Sequence, residues 1–164
     1  HRPGIGHLLL RAAELGLTNL RVICSDAVEV LERQLPDECL DHVQIFFPDP
    51  WPKVRHRKRR LIQPSFVSLL VRKLKSAGQL HIATDCGSYA DSILDVLSNA
   101  SELENTATDN GFVQRPIHRP LTKFERRGKH LGHDVWELLF KRRARCPTID
   151  HSSPNYVGGI STLL

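Results

Sequence analysis

The chain has 164 residues, of which 40% are hydrophobic and 25% charged. That is enough for one domain with a core, and the composition excludes disordered and fibrous classes. No apolar stretch approaches membrane-spanning length. The net charge is +5, yet residues 53–60 alone carry six positive and no negative side chains, which leaves the rest at −1. The basicity is local, and a basic patch on a near-neutral body is an electrostatic footprint for phosphates. A second basic run, Lys141-Arg142-Arg143-Ala144-Arg145, is placed to extend it.

Taken in order, Ile5, Leu8, Leu9, Ala12 and Leu15 follow helical spacing, and Gly16 supplies a stop. Leu20 to Cys24 reads as a short strand ending at Ser25-Asp26. Asp26 then caps a helix, with Glu29 three residues on in capping-box style and Val28, Leu31 and Leu35 on its buried face. His42 to Phe47 is the next strand, apolar enough to be buried on both faces. After the basic run, Pro64 suits a first helical turn, Ile62, Phe66, Leu70 and Leu74 recur every four residues, and Ala77-Gly78 closes that helix. Leu80 to Thr84 is a strand ending at Asp85, and Tyr89, Ile93 and Val96 mark a further helix. Residues 100–121 read as a loop with room for one short strand, Thr122 to His130 as a short helix, and Val135 to Phe140 as a final strand. Residues 144–164 have no periodicity and are expected to form a disordered tail. Strands alternating with helices predict a parallel, doubly wound α/β sheet.

In such sheets ligands sit outside the carboxyl ends of the strands. Asp26, Asp49 and Asp85 each follow the end of a different predicted strand, so three carboxylates should line one edge. For Asp26 helix capping alone is a sufficient account, and for Asp85 an acid at a strand-to-helix turn is another. Asp49 has no such simple account. It sits in Pro48-Asp49-Pro50-Trp51-Pro52, where three prolines lack N–H groups and fix φ, and where Phe47, Asp49 and Trp51 should be held extended by the proline that follows each. The cationic run Lys53, Arg55, Arg57, Lys58, Arg59 and Arg60, with His56 among them, comes next. A solvated charged face is the plain alternative for the run itself. A stiff acidic-aromatic loop beside it argues for two partners, a small one placed by a carboxylate and a polyanion.

The four cysteines, Cys24, Cys39, Cys86 and Cys146, are irregularly spaced, with no zinc-type cluster. A reducing, cytoplasmic compartment is expected, without disulfides, bound metal or membrane association. The chain contains no Met and begins His1-Arg2-Pro3-Gly4, so a longer protein is expected to begin upstream.

Phe47-Pro48-Asp49-Pro50-Trp51-Pro52-Lys53 followed by Arg55-His56-Arg57-Lys58-Arg59-Arg60 resembles the signature of bacterial tRNA (guanine-N7)-methyltransferases, the TrmB family. Further matches are His1 to Gly6, Asp26-Ala27-Val28-Glu29-Val30-Leu31, Ala83-Thr84-Asp85, and Arg119 to Gly128 with its Thr122-Lys123-Phe124-Glu125 core. The resemblance covers residues 1–143. It implies a Rossmann-like class I methyltransferase sheet, N-terminally truncated, because the family's first strands, Gly-rich cofactor loop and ribose-binding acid precede the part matched here. It implies S-adenosylmethionine as methyl donor and tRNA as substrate, with guanine N7 in the variable loop receiving the methyl group, in a monomer or homodimer.

The same resemblance implies roles for residues. Asp26 and Ala27 would contact the cofactor's adenosine, and Asp49 would lie between methyl donor and guanine as the catalytic residue. Lys53, Asp85, Thr122, Lys123, Phe124 and Glu125 would contact substrate. Arg55, His56, Arg57, Lys58, Arg59 and Arg60 would meet RNA phosphates. Guanine N7 carries a lone pair and no proton, so alignment rather than deprotonation is the expected task of Asp49. Trp51 has two readings, a stacking platform for a base or a packed anchor of the loop. A non-catalytic RNA-binding α/β domain is the alternative reading of the whole chain. A methyltransferase for protein or small molecules is argued against by the basic run together with Thr122 to Glu125.

Overall fold

A computed structural model describes residues 2–130 and 132–144. Its elements are helix α1 (Arg2–Glu14), helix α2 (Ala27–Arg33), strand β1 (Leu40–Phe46), a 3₁₀ turn (Val54–Arg59), helix α3 (Pro64–Lys73), strand β2 (Leu74–Thr84), helix α4 (Gly87–Ser98), strand β3 (Leu103–Asn105), helix α5 (Lys123–His130) and strand β4 (Trp136–Arg142). The expected tail beyond Ala144 lies outside the described residues.

The four strands form one sheet in the order β1-β2-β4-β3. β1 and β2 are parallel, with Phe46 opposite Ala83, whereas β4 runs antiparallel to both β2 and β3. The α/β architecture is as expected, but the sheet is mixed rather than wholly parallel. The physical reason is the long connection 106–135. It brings the chain back between β2 and β3, and an antiparallel neighbour needs no crossover helix.

Helices α2, α3 and α4 cover one face. Alternation along the strands sends Leu80, Ile82, Leu138 and Phe140 into a core with Phe66, Leu70, Tyr89, Ile93 and Leu97. The intervening residues, His81, Ala83 and Glu137, face the other way. Ile62, Phe66, Leu70 and Leu74 are all buried as their spacing suggested. The helix, however, ends at Lys73, and Leu74 already has extended geometry (φ −70°, ψ 139°). The Lys73 amine turns inward, donating to the Leu35 carbonyl at 2.8 Å and to Asp37 at 2.6 Å. Residues 75–78 bulge out of the ladder, and a Cβ on Gly78 would lie 2.9 Å from the Lys75 carbonyl oxygen and 3.1 Å from that of Leu40. Glycine is needed there for the close approach of two backbones.

Two further expectations are corrected. Leu20 to Cys24 forms no strand, because a strand exists only when its backbone groups find a neighbour and none runs beside it among the described residues. β1 is a sheet edge among the described residues, with His42 and Gln44 exposed, and is not buried on both faces. In α1 Ala12 is buried, while Leu8, Leu9 and Leu10, and Leu15 just after it, are exposed.

Candidate active site and nucleic-acid interface

The parallel pairing of β1 with β2 brings the segments after Phe46 and Thr84 to one edge of the sheet. The Phe47 amide donates to the Ala83 carbonyl at 2.8 Å and starts the turn away from the sheet. Asp49, exposed, and Asp85, half-buried, therefore follow neighbouring strand ends. Trp136 pairs with Thr84, so the beginning of β4 reaches the same edge. A Cβ on Gly87 would meet the Trp136 ring at 3.2 Å, which explains why a glycine opens α4.

The proline loop departs from the expected extended geometry at two of the three residues that precede a proline. Phe47 and Trp51 both have positive φ, 54° and 40°. Such values are unfavourable for bulky residues and persist only where surroundings impose them. Here the basic turn supplies part of the restraint. Trp51 packs edge-on against His56 at 5.9 Å between ring centroids, and the Arg59 guanidinium lies 5.1 Å over its ring. Of the two roles open to Trp51, the packed anchor is the one seen.

The basic run forms the 3₁₀ turn, with Arg55, Arg57, Lys58 and Arg59 exposed, and Lys53 exposed as its N-cap. Arg60 departs from the expectation of a phosphate contact. It is 3% exposed, its Nε donates to the Pro50 carbonyl at 2.9 Å, and its guanidinium lies 4.5 Å over the Tyr89 ring. Arg145 lies outside the described residues, and the described part of the second basic run does not extend the patch. Its strand is antiparallel to β2, which carries Arg142 to the opposite end of the sheet, where it is buried against the Leu74 carbonyl and Glu38.

Asp26 caps α2. Its Oδ1 accepts from the amides of Val28 at 2.8 Å and Glu29 at 3.4 Å, while the Glu29 carboxylate accepts from Arg33. The cap uses Oδ1 alone, and the Ala27 amide belongs to the first turn, whose N–H groups have no intrahelical acceptor. An acceptor beside a donor is the pairing that the amino group and ring nitrogen of an adenine edge would need. Ser25 and Ala27 also line one apolar groove with Ile45 and Phe46 of β1, which ties this turn to the edge that carries Asp49.

The segment 119–125 is built differently. Thr122 Oγ1 accepts from the Glu125 amide at 3.1 Å, and the Glu125 carboxylate accepts from the Thr122 amide at 3.0 Å, a reciprocal capping box that starts α5. The same carboxylate is paired with Arg119, at 2.5 and 2.7 Å, and is 2% exposed. It was expected to meet substrate and is instead satisfied internally. The Arg119 guanidinium, with help from Thr122, outweighs burial and holds the Glu125 carboxyl at about 2. Arg119 also binds Glu137, whose other oxygen lies 2.7 Å from His81 Nε2. The two carboxylates hold Arg119 still more firmly protonated. Lys123 is exposed and Thr122 half-buried, and Phe124 lies between Lys123 and Glu125 in α5.

A family model described as "Putative methyltransferase" matches residues 1–138. The chain belongs to this methyltransferase family. Among its relatives, a tRNA (guanine-N(7)-)-methyltransferase from Nitrosospira multiformis is 57% identical over 143 residues, covering 87% of this chain and 62% of that protein. Proteins of the same name from Yersinia enterocolitica and Burkholderia vietnamiensis are 55% and 58% identical, covering 87% and 88% of this chain and 60% and 56% of theirs. The chain thus spans about three-fifths of the length of these relatives. Among solved structures, an rRNA methylase from Streptococcus thermophilus superposes with a TM-score of 0.53 at 11% identity, over 87% of this chain and 69% of that one. That likeness concerns the fold, and the fold is a methyltransferase's.

Four buried residues beside the candidate site carry no site role in the sequence reading: His81, Tyr89, Arg119 and Glu137. The signal in the chain was polarity inside strands, since His81 and Glu137 interrupt otherwise apolar segments. Among the described residues Cys24, Cys39 and Cys86 are free thiols, and Cys146 lies outside them. Among the described residues no helix is long and apolar enough to cross a membrane, and no cluster of three or more His, Cys, Asp or Glu side chains could hold a metal.

Proposed function

We propose that the protein transfers a methyl group from S-adenosylmethionine to N7 of a guanine in tRNA. The observation that carries the reading is the continuity of Asp49 with the exposed cations of the 3₁₀ turn, at the sheet edge shared with Asp85. The names of relatives above 50% identity supply the substrate class.

Asp26 and Ala27 are the residues that would hold the adenine. The cofactor supplies an activated methyl group on a sulfonium centre. Asp49 is exposed and has none of the protein hydrogen bonds that occupy Glu125. It is free to accept from the N1–H and N2–H₂ of guanine and so orient N7. N7 has no proton to lose, so orientation is the useful contribution. The guanine ring gains positive charge as it is methylated, and a carboxylate in contact with it favours that change. Lys53, Asp85, Thr122, Lys123 and Phe124 are assigned to the substrate side in the same proposal. Arg55, Arg57, Lys58 and Arg59 supply salt-dependent contact with the folded RNA backbone.

The test is methyl transfer to an unmodified tRNA transcript, with the product mapped by chain cleavage specific to N7-methylguanosine. One cleaved guanine in the variable loop is expected. Asp49→Asn should lose most turnover and keep tRNA affinity, and a near-normal rate would refute the orienting role. Salt-dependent RNA binding without any transfer would favour a non-catalytic RNA-binding domain.

A further inference from the structure

Arg60 is the one buried member of the run Lys53–Arg60. Besides the 2.9 Å bond from Nε to the Pro50 carbonyl, its Nη1 donates to the Ser88 carbonyl at 3.4 Å. Pro50 follows Asp49 directly, and Ser88 lies three residues after Asp85 in the first turn of α4. The ring beneath the guanidinium is fixed in turn, because the Tyr89 hydroxyl accepts from the Ile62 amide at 3.1 Å. One side chain thus bridges the loops that follow two parallel strands.

The proline loop needs such a bridge. Pro48, Pro50 and Pro52 have no N–H to donate, so much of the loop's hydrogen bonding falls to its carbonyls. Its positive-φ residues, Phe47 and Trp51, flank Asp49 and require an external restraint. Arg60 also keeps a buried Nη2 without a hydrogen-bond partner. An apolar side chain filling the same space would avoid that cost, so the guanidinium is explained by what its other two donors hold. Burial pushes the Tyr89 phenol above its ordinary value, Arg60 lowers it and Asp49 raises it, which puts both charges within electrostatic reach of one hydroxyl.

We propose that Arg60 is a positioning residue that clamps the Pro50 and Ser88 carbonyls, fixing Asp49 relative to the Asp85 turn, and makes no contact with RNA. Its effect on turnover rests on the methyl-transfer reading; the clamp itself does not. The experiment compares Arg60→Lys with Arg57→Gln. Lysine keeps the charge and loses the planar fork. In Arg60→Lys, kcat should fall about 10–100-fold while KM for tRNA and the salt slope of binding stay unchanged. The ¹⁵N order parameters of the Asp49 and Trp51 amides should fall from about 0.85 toward 0.6, with core amides unmoved. In Arg57→Gln the salt slope should shrink and the order parameters hold.

A shallower salt slope with unchanged order parameters in Arg60→Gln, which removes the charge, would make Arg60 an RNA contact and overturn the proposal. Unchanged order parameters and unchanged kcat would overturn it too. If the parent protein transfers no methyl group, the methyl-transfer reading fails, and the order parameters alone still decide the clamp. Should Arg60→Lys fail to fold, Tyr89→Phe keeps the ring and removes its anchor. A smaller drop in the same order parameters then supports the clamp, and no drop refutes it.

Discussion

The proline loop with its basic turn, residues 47–60, and the segment 119–125 with β4 both carry residues of one methyltransferase signature, and they use charge in opposite ways. In the first, Asp49, Arg55, Arg57 and Lys58 point their charges outward, and the structure that holds them is aromatic packing and one inward arginine. In the second, Arg119, Glu125 and Glu137 are each at most 3% exposed and neutralise one another. Charges left unpaired on a stiff loop are available to a ligand, and charges paired in the interior hold shape. A shared signature therefore does not mean a shared role.

The largest expected effect comes from breaking the buried cluster. Arg119→Met leaves Glu125 and Glu137 without their cation and should destabilise the fold by about 3–5 kcal/mol in urea denaturation. Arg57→Gln should stay within about 0.5 kcal/mol of the parent. Equal effects would erase the contrast between the two regions.

Acid sharpens it further. The Glu125 carboxyl is held at about 2 against an ordinary 4.5. A depressed carboxyl contributes stability above its unfolded value and loses it as pH falls through the folded one. The window is thus from about 4.5 down to about 2, and the amount at stake is about 3 kcal/mol. Glu125→Gln should flatten this part of a stability-versus-pH curve. An unchanged curve would show that the Glu125 carboxyl is not held below its ordinary value in the fold.

The smallest change in stability, with a distinct effect on binding, belongs to the exposed cations. Replacing Arg57 and Lys58 by Gln should leave the melting temperature in place. The slope of log affinity for tRNA against log salt should shrink by roughly 0.7–0.9 for each phosphate that is no longer neutralised. A slope that does not move would place the RNA elsewhere on the molecule.

Much of this was readable in the chain. The core positions Ile62, Phe66, Leu70 and Leu74 follow from their spacing, helix α2 from its pattern and cap, and α4 from its pattern, and α5 falls within the short helix expected over 122–130. Strand β1 ends where the prolines begin. Other features were not readable, for specific reasons. Leu74 continues a helical period but sits in a strand, because pairing with β1 outweighs local spacing. Leu20 to Cys24 has strand composition and no partner strand among the described residues, and a ladder is a property of two segments. Phe47 and Trp51 adopt positive φ against the local preference before proline, because the packing around Trp51 and the bond from Phe47 to Ala83 set the loop's path.

Sequence by itself determined the chemistry on offer: a carboxylate in a proline-locked loop, six cations directly after it, and an α/β alternation that brings loops to a strand edge. Residue types and short-range spacing suffice for that. Only the tertiary structure decided which charges face solvent and which face each other. Arg59 and Arg60 are adjacent in the chain and alike in chemistry. One lies exposed over Trp51, and the other is buried between Pro50, Ser88 and Tyr89. The difference arises because residues 28 or more positions away supply the Ser88 carbonyl and the Tyr89 ring that receive Arg60, and no local pattern encodes a distant partner.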